Sequence, residues 1–162
     1  MNMENNYAFI DGQNLHSGTR MEGWRIDFFR FRQYLRFKYG VGEAIWFIGY
    51  VPENKPLYRR LTKAGFKLVF KDAIKISSGK LKANVDAELV LECVDKINSY
   101  DKAILVTADG DFVCLVSYLL ERGKLKMVLS PSEKNCSSLL NKRAGGRIRP
   151  LIGLREKIGL KK

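Results

Sequence analysis

The chain has 162 residues, of which 46% are hydrophobic, enough for one domain with one sizeable core. No apolar run approaches the ~20 residues that span a bilayer, and the polar start of the chain has no basic residue before the first apolar run, which argues against a secretory signal. The three cysteines are far apart and indicate neither a disulfide framework nor a zinc site. We therefore expect a cytoplasmic protein without a membrane segment.

The net charge of +12, from 29 Lys and Arg against 17 Asp and Glu, favours a polyanionic partner, most simply nucleic acid. From Lys142 onwards the chain holds eight basic residues and one acid, so this segment alone contributes +7. A second basic stretch runs through 55–71. A solvated basic surface without a partner is the simpler alternative. We nevertheless expect substrate binding by these side chains: Arg59, Arg60, Lys142, Arg143, Arg147 and Arg149.

In chain order, apolar runs alternate with amphipathic stretches. The first part predicts, in order, strand 7–10, helix 26–39, strand 44–51, helix 56–65 and strand 66–70. Gly40 and Gly42 end the first of these helices. Residues 71–82 have the composition either of a small hairpin or of a flexible basic flap.

The second part of the chain begins with Asn84, a predicted N-cap. It predicts, in order, helix 85–97, strand 103–106, helix 112–122, strand 126–129, short helix 135–141 and an edge strand or extended arm at 148–152. About five alternations of strand and helix require right-handed crossovers, so the fold class is α/β with a mostly parallel sheet of five or six strands. We expect one domain over residues 1–152 and a basic tail over 153–162 that becomes ordered on binding.

Carboxylates directly follow two of the apolar runs, in the phrases IDGQN at 10–14 and VTADGDF at 106–112. Taken singly, Asp11 and Asp109 are better explained as turn or helix-cap residues. If their strands are neighbours, however, Asp11, Asp109 and Asp111 share one crevice at the carboxyl edge of the sheet, where ligands bind. Asp86, in the first turn of the helix that precedes strand 103–106, is a fourth candidate, although a carboxylate there also favours the helix dipole.

Several carboxylates at one place repel one another unless a cation lies between them. An oxygen-rich site without His or Cys suits Mg²⁺ or Mn²⁺, which can bind a scissile phosphate and activate a water. Asn14 can supply a neutral oxygen. His16 is the only histidine, which disfavours a Ser/His/Asp triad, and the chain has no glycine-rich nucleotide-binding motif. Candidate stacking groups, each with core packing as the alternative, are Tyr50, Tyr58 and Phe112.

Three motifs occur in a characteristic order: FIDGQNL at 9–15, KANVD at 82–86 and TADGDF at 107–112. Together they resemble the F-I-D-G-x-N-L, K-G-V-D and S-G-D-G-D-F segments of NYN domains, in the LabA-like branch of the PIN-like nuclease superfamily. The match covers roughly residues 7–129. The chain departs from the pattern at Ala83-Asn84, at Thr107-Ala108, and after Leu140, where it is more basic than the family.

The resemblance implies a PIN-like three-layer α/β/α sandwich with strand order 3-2-1-4-5 and a divalent-metal ribonuclease site. Carried over by position, the metal-binding and catalytic acids would be Asp11, Asp86, Asp109 and Asp111. Asn14 would support them, and Lys82 would contact the substrate phosphate.

Four functions are compatible with these residues. The first is an endoribonuclease in which carboxylate-bound Mg²⁺ or Mn²⁺ activates water, with RNA as the partner. A catalytically inactive RNA-binding or regulatory module of the same fold is the second, and a DNA-directed nuclease is the third. A toxin with a cognate antitoxin is the fourth. A homodimer is compatible with all four.

Overall fold

The computed structural model describes residues 3–79 and 81–161. Within that part of the chain the strands are β1 (Asn6–Asp11), β2 (Val41–Tyr50), β3 (Phe66–Asp72), β4 (Ile74–Lys75), β5 (Leu81–Lys82), β6 (Ala103–Val106), β7 (Leu125–Ser130) and β8 (Ile148–Pro150). Six of them form one sheet in the order β3-β2-β1-β6-β7-β8, and every neighbouring pair is parallel. Counted along the main sheet this order is 3-2-1-4-5-6, which confirms the predicted order and adds the sixth strand.

The helices cover both faces of this sheet. They are α1 (Gly12–Met21), α2 (Phe28–Tyr39), α3 (Lys55–Ala64), α4 (Asp86–Asp95), α5 (Val113–Glu121), α6 (Ser138–Ala144) and α7 (Arg155–Ile158). One apolar cluster joins the sheet to α1, α2, α3 and α7, and a second joins its other face to α4, α5 and α6. The predicted three-layer α/β/α sandwich is therefore confirmed.

Strand β1 lies at the centre of the sheet and is buried on both faces. Ala8 and Ile10 belong to the first apolar cluster, and Phe9 between them belongs to the second. Strands in this position are continuous apolar runs, because both faces are covered by helices. Removing side chains of this size from water stabilises the fold by roughly 1.5–3 kcal/mol each, so the position of β1, and of the residues that follow it, is strongly determined.

Capping residues set the limits of α2. The Asp27 carboxylate accepts a hydrogen bond from the Arg30 backbone N–H at 3.1 Å, so the helix begins at Phe28 rather than at the predicted residue 26. Gly40 ends it with a φ of 64°, a left-handed conformation that glycine adopts without strain. Ile26, outside the helix, forms an isolated antiparallel bridge with Gly159.

The segment 71–82, for which a hairpin and a flap were both predicted, contains the antiparallel pair β4 and β5. This finding favours the hairpin. No helix in 3–79 or 81–161 has the length and apolar character needed to cross a membrane.

The residues after Ile152, predicted as a basic tail that becomes ordered on binding, instead pack against the sheet and α2. Leu154 and Ile158 are buried in the first apolar cluster, together with Leu151, which precedes this segment. Their spacing places them on one face of a 3₁₀ turn and α7, while Arg155 and Lys157 are exposed. The Ile158 carbonyl also accepts a hydrogen bond from the Asp27 N–H at 2.8 Å. The sequence analysis considered only the basic residues of this segment and overlooked its apolar stripe.

This packing makes a prediction about stability. Ile158→Ala should lower the free energy of unfolding by about 2–5 kcal/mol, because it opens a cavity at a fully buried side chain. Leu160→Ala is the matched control, since Leu160 lies in the same segment but is 57% exposed, and it should change stability by less than about 0.5 kcal/mol. Urea denaturation measures both. Equal values for the two variants would show that α7 does not dock on the core.

Candidate metal and nucleic-acid site

Three acids meet at the carboxyl edge of the central strands. Asp11 ends β1, Asp109 follows β6, and Asp86 begins α4. The parallel register sets Ile10 beside Val106, so the two strands end at the same level. One carboxylate oxygen from each acid lies within 4.8 Å of the other two. The structure thus brings together three of the four acids singled out in the sequence.

Asp111 stands at the border of this cluster. It lies in the 3₁₀ turn Gly110–Phe112, its side chain is exposed, and its backbone N–H donates a hydrogen bond to Asp109 Oδ1 at 2.9 Å. The group of three acids does not include it. Burial, and then the charges of Asp109 and Asp111, raise the pKa of Asp86, so the Asp111 carboxylate acts on that of Asp86 from nearby. A ligand role for Asp111 stays a prediction.

Asn14 and Thr107 connect the two central strand ends. Asn14 Oδ1 accepts a hydrogen bond from the Ala108 N–H at 2.8 Å, and its own N–H donates to Asp11 Oδ1 at 3.2 Å. Thr107 Oγ1 accepts from the Asp109 N–H at 3.1 Å and makes a long contact of 3.5 Å to Asp11 Oδ2. The hydrogen bond between the Asn14 side chain and Ala108 joins α1 to the loop after β6, beside the acids. The role of Thr107 was not predicted.

The mutual repulsion of the clustered carboxylates favours a bound cation. Asp11 is only 5% exposed, and burial, followed by the charges of Asp86 and Asp109, raises its pKa to about 6. Burial, and then the charges of Asp109 and Asp111, also raise the pKa of Asp86. Among the side chains that the structure describes, no Lys or Arg forms an ion pair with these acids. A divalent cation bound by oxygen ligands would relieve this repulsion.

Asp86 reaches the cluster from a different direction, and Lys71 secures its approach. Lys71, near the end of β3, donates to the Asn84 carbonyl at 2.8 Å and lies 3.1 Å from Glu88 Oε1. The Asn84 side chain in turn accepts from the Asp86 N–H at 2.9 Å. Gly49 lets this loop approach β2, because a Cβ at that position would lie 2.6 Å from the Ala83 Cβ.

A cleft of about 1360 Å³ opens from the acidic cluster. Small-molecule pockets span roughly 300–1,000 Å³, so this volume is large enough for a polymeric substrate. Beyond the acids its lining includes four basic residues: Arg20, Arg25, Arg60 and Lys63. His16 also lines it, and burial, followed by the charges of Arg20 and Arg25, lowers the pKa of His16. The lining of the cleft thus combines the acidic cluster with basic and apolar side chains.

The predicted substrate-binding residues are mostly elsewhere. Arg60 lines the cleft, whereas Arg59 lies in a shallow groove beside Phe70. Lys142 and Arg143 are exposed at the end of α6, where Arg143 donates to the Ser117 hydroxyl. The side chain of Lys82 lies outside what the structure describes.

Arg147 precedes β8 and Arg149 lies within it, on the edge strand opposite β3. Arg147 donates to the Leu125 carbonyl at 2.8 Å, at the amino end of β7 and thus at the edge opposite the acids. Arg149 is exposed on the edge strand. Neither Arg147 nor Arg149 lines the cleft, and substrate binding by these two side chains stays a prediction.

The sequence analysis missed Arg20 and Arg25, because it assigned no element to 12–21 and no role to the connection that follows. The candidate stacking groups Tyr58 and Phe112 are buried, and the Tyr58 hydroxyl donates to the Gly49 carbonyl at 3.0 Å and accepts from the Val51 N–H at 2.8 Å. Tyr50 stacks on Tyr58 with ring centroids 5.7 Å apart. Core packing, the alternative considered for these residues, describes Tyr58 and Phe112.

A parallel α/β/α sandwich with acids clustered at the carboxyl edge of its central strands is the architecture of PIN-like nucleases. Comparison with known families matches residues 7–147 to the NYN domain, so the chain belongs to the NYN domain family, within that nuclease superfamily.

One relative and one solved structure illustrate this relationship. The chain is 29% identical over 114 residues to the low amplitude and bright protein LabA of Synechococcus elongatus, a match that covers 64% of this chain and 61% of LabA. The crystal structure of VPA0982, a protein of unknown function from Vibrio parahaemolyticus, aligns over 99% of both chains with a TM-score of 0.81 and 21% identity. At that identity the second comparison supports the fold alone.

The position of Lys71 leads to a local prediction. Lys71→Met should speed amide hydrogen exchange in the segment 83–88, because the loop loses both its bond to the Asn84 carbonyl and its ion pair with Glu88. Lys67→Met is the matched control, since Lys67 lies on the same strand and pairs with Glu43 at 3.3 Å instead. Mass spectrometry of the exchanged peptides measures the effect. If exchange in this segment were unchanged in both variants, Lys71 would not hold the loop that carries Asp86.

A second prediction concerns pH. Because folding raises the Asp11 pKa to about 6 from 3.8, the stability contribution of this group is full below about pH 4 and is lost as pH rises through 6. In EDTA, the unfolding free energy of the wild type should therefore fall relative to Asp11→Asn by up to about 3 kcal/mol between these limits. Saturating Mn²⁺ at pH 7 should restore it. Parallel curves for the two proteins in EDTA would contradict the assigned environment of Asp11.

Proposed function

We propose that this chain is a metal-dependent endoribonuclease that hydrolyses RNA phosphodiester bonds. The observation that carries the proposal is the meeting of three carboxylates within 4.8 Å at one end of a cleft whose other walls carry basic side chains. Membership of the NYN family supports a nuclease-type activity. The relationship to RNA rather than DNA, and the cytoplasmic location, remain predictions from the sequence.

The donor set fits Mg²⁺ or Mn²⁺. Asp11, Asp86 and Asp109 offer only oxygen, the hard ligand that both ions prefer. In addition, the buried Asp11 has a raised pKa that a bound cation would lower. When bound, the ion would supply Lewis-acid stabilisation of the scissile phosphate and a lowered pKa for the attacking water.

The protein's own residues orient the reaction around that position. The Asn14 backbone N–H donates to the Asp11 carboxylate, and Thr107 Oγ1 accepts from the Asp109 backbone N–H, so both residues fix the segments from which these acids project. Asp111, solvent-exposed and close to Asp86, is suited to accept the proton of the attacking water. As water adds to phosphorus, the bond from phosphorus to the leaving sugar oxygen breaks, and that oxygen takes up a proton from solvent.

Basic groups along the cleft bind the flanking phosphates. Arg60 is the one described member of the predicted set that faces the cleft, and Arg20, Arg25 and Lys63 join it. Each neutralised phosphate releases counterions, so the affinity for RNA should fall steeply with salt. The remaining predicted basic residues surround other parts of the surface and are not needed for this path.

Asp109→Asn tests the site directly. The variant should lose at least 100-fold in cleavage rate with Mn²⁺ or Mg²⁺, because one of the three anionic ligands becomes neutral. It should bind single-stranded RNA as well as the wild type or better, since a negative charge near the phosphates is removed. Asparagine can still accept the hydrogen bond from the Asp111 N–H, so the turn is preserved. Gel cleavage assays and fluorescence anisotropy measure the two properties.

The control is Asp72→Asn, because Asp72 ends β3 at the same edge of the sheet but does not line the cleft. It should cut like the wild type. Cleavage of a matched DNA strand at the same rate would indicate a nuclease without RNA preference. A folded wild-type protein that binds RNA and never cuts it would support the non-catalytic module and contradict the proposal.

A further inference from the structure

Phe29 is an aromatic side chain that is exposed in the cleft. It lies in the first turn of α2, lines the cleft and is 61% exposed. Its neighbour Phe28 packs edge-on against the buried Trp46, with ring centroids 5.5 Å apart. The cap from Asp27 to Arg30 secures the same turn. A large apolar ring is thus exposed on a capped helical turn. Its neighbour Phe28, rather than Phe29 itself, packs against the core.

The charges around Phe29 favour an anionic ligand. Arg20, in the last turn of α1, and Arg25, in the connection to α2, line the same cleft with exposed side chains. Asp27 is the nearby acid in the lining, and its carboxylate is engaged by the Arg30 N–H and lies 3.7 Å from the Arg30 guanidinium. The lining of the cleft therefore combines these two cations with one exposed aromatic side chain.

An exposed ring that shares a cleft with cations matches the chemistry of an unpaired nucleotide. Bases stack on aromatic side chains, while arginines bind the adjoining phosphates. A base within a duplex is already stacked on its neighbours, so a ring on a cleft wall is not accessible to it. An apolar peptide would be a poorer occupant, because it would leave the two guanidinium groups without anionic partners.

From this arrangement we infer that Phe29 is a base-stacking platform, at which one unpaired nucleotide is bound with its phosphates on Arg20 and Arg25. This nucleotide lies in the same cleft as the acidic cluster. The inference rests on the proposed function, since it assigns a nucleotide subsite to the proposed nuclease cleft. It also makes single-strandedness at that nucleotide a requirement for binding.

The test measures binding of a short single-stranded RNA to the full-length protein in EDTA, where no cleavage occurs. Phe29→Ala should weaken binding by about 5- to 150-fold, the range that stacking of one base contributes. Phe37→Ala is the matched control, because Phe37 lies on the same helix, is 79% exposed and does not line the cleft. It should bind like the wild type. Equal affinities for the two variants would overturn the inference.

Two further measurements separate stacking from general loss of structure. Phe29→Trp should retain binding, and its fluorescence should be quenched by the RNA, since both native tryptophans are buried. A strand of abasic sites should bind the wild type and Phe29→Ala equally, because it has phosphates but no bases. Stacking would be contradicted if Phe29→Ala bound the abasic strand more weakly than the wild type does, or if RNA did not quench the introduced tryptophan.

The outcomes also distinguish this inference from the proposed function. If the wild type cuts RNA with Mn²⁺ and Phe29→Ala binds like Phe37→Ala, the nuclease stands and the stacking platform fails. If Phe29→Ala weakens binding while the wild type never cuts, the platform stands and the nuclease fails. Absence of any RNA binding by the wild type would refute both.

Discussion

The parallel pairing of β1 with β6 is the interaction on which the rest of the structure depends. It joins segments about 96 residues apart in the chain, from Tyr7 beside Ala103 to Ile10 beside Val106. Both strands are buried on both faces, so neither can shift by one residue without moving its side chains to the wrong cluster. The acids that follow are therefore brought together by apolar packing, against their own repulsion.

Much of this could be predicted from local patterns. The strands of the main sheet are apolar runs bounded by polar residues, and Asp11 and Asp109 each follow such a run directly. The order of the strands, by contrast, came from the family resemblance, because no local pattern specifies which strands pair. Helix α1 was missed, since Leu15 is its only large buried side chain and Gly18 packs closely on Pro131. A helix with so narrow an apolar stripe gives little periodic signal.

The basic residues predicted to bind substrate were located less well from the sequence than the acids of the cluster. The basic residues of the C-terminal segment suggested a nucleic-acid grip, yet Leu154 and Ile158 dock that segment on the core. Net charge reports on solubility and partners, and it does not determine where a segment packs. The basic groups that do face the cleft are few and lie on α1, α3 and the connection between α1 and α2. Only tertiary contacts could reveal this.

The close approach of Ala83 to Gly49 has a consequence for how such a site can vary. Two of the clustered acids belong to the central strands, whereas Asp86 arrives on a connection that first leaves the sheet as the β4–β5 pair. The ends of this excursion are pinned by Gly49 and Lys71. Because both anchors lie outside the β4–β5 pair, the approach of Asp86 to the other acids does not depend on the exposed residues 76–79 that follow β4.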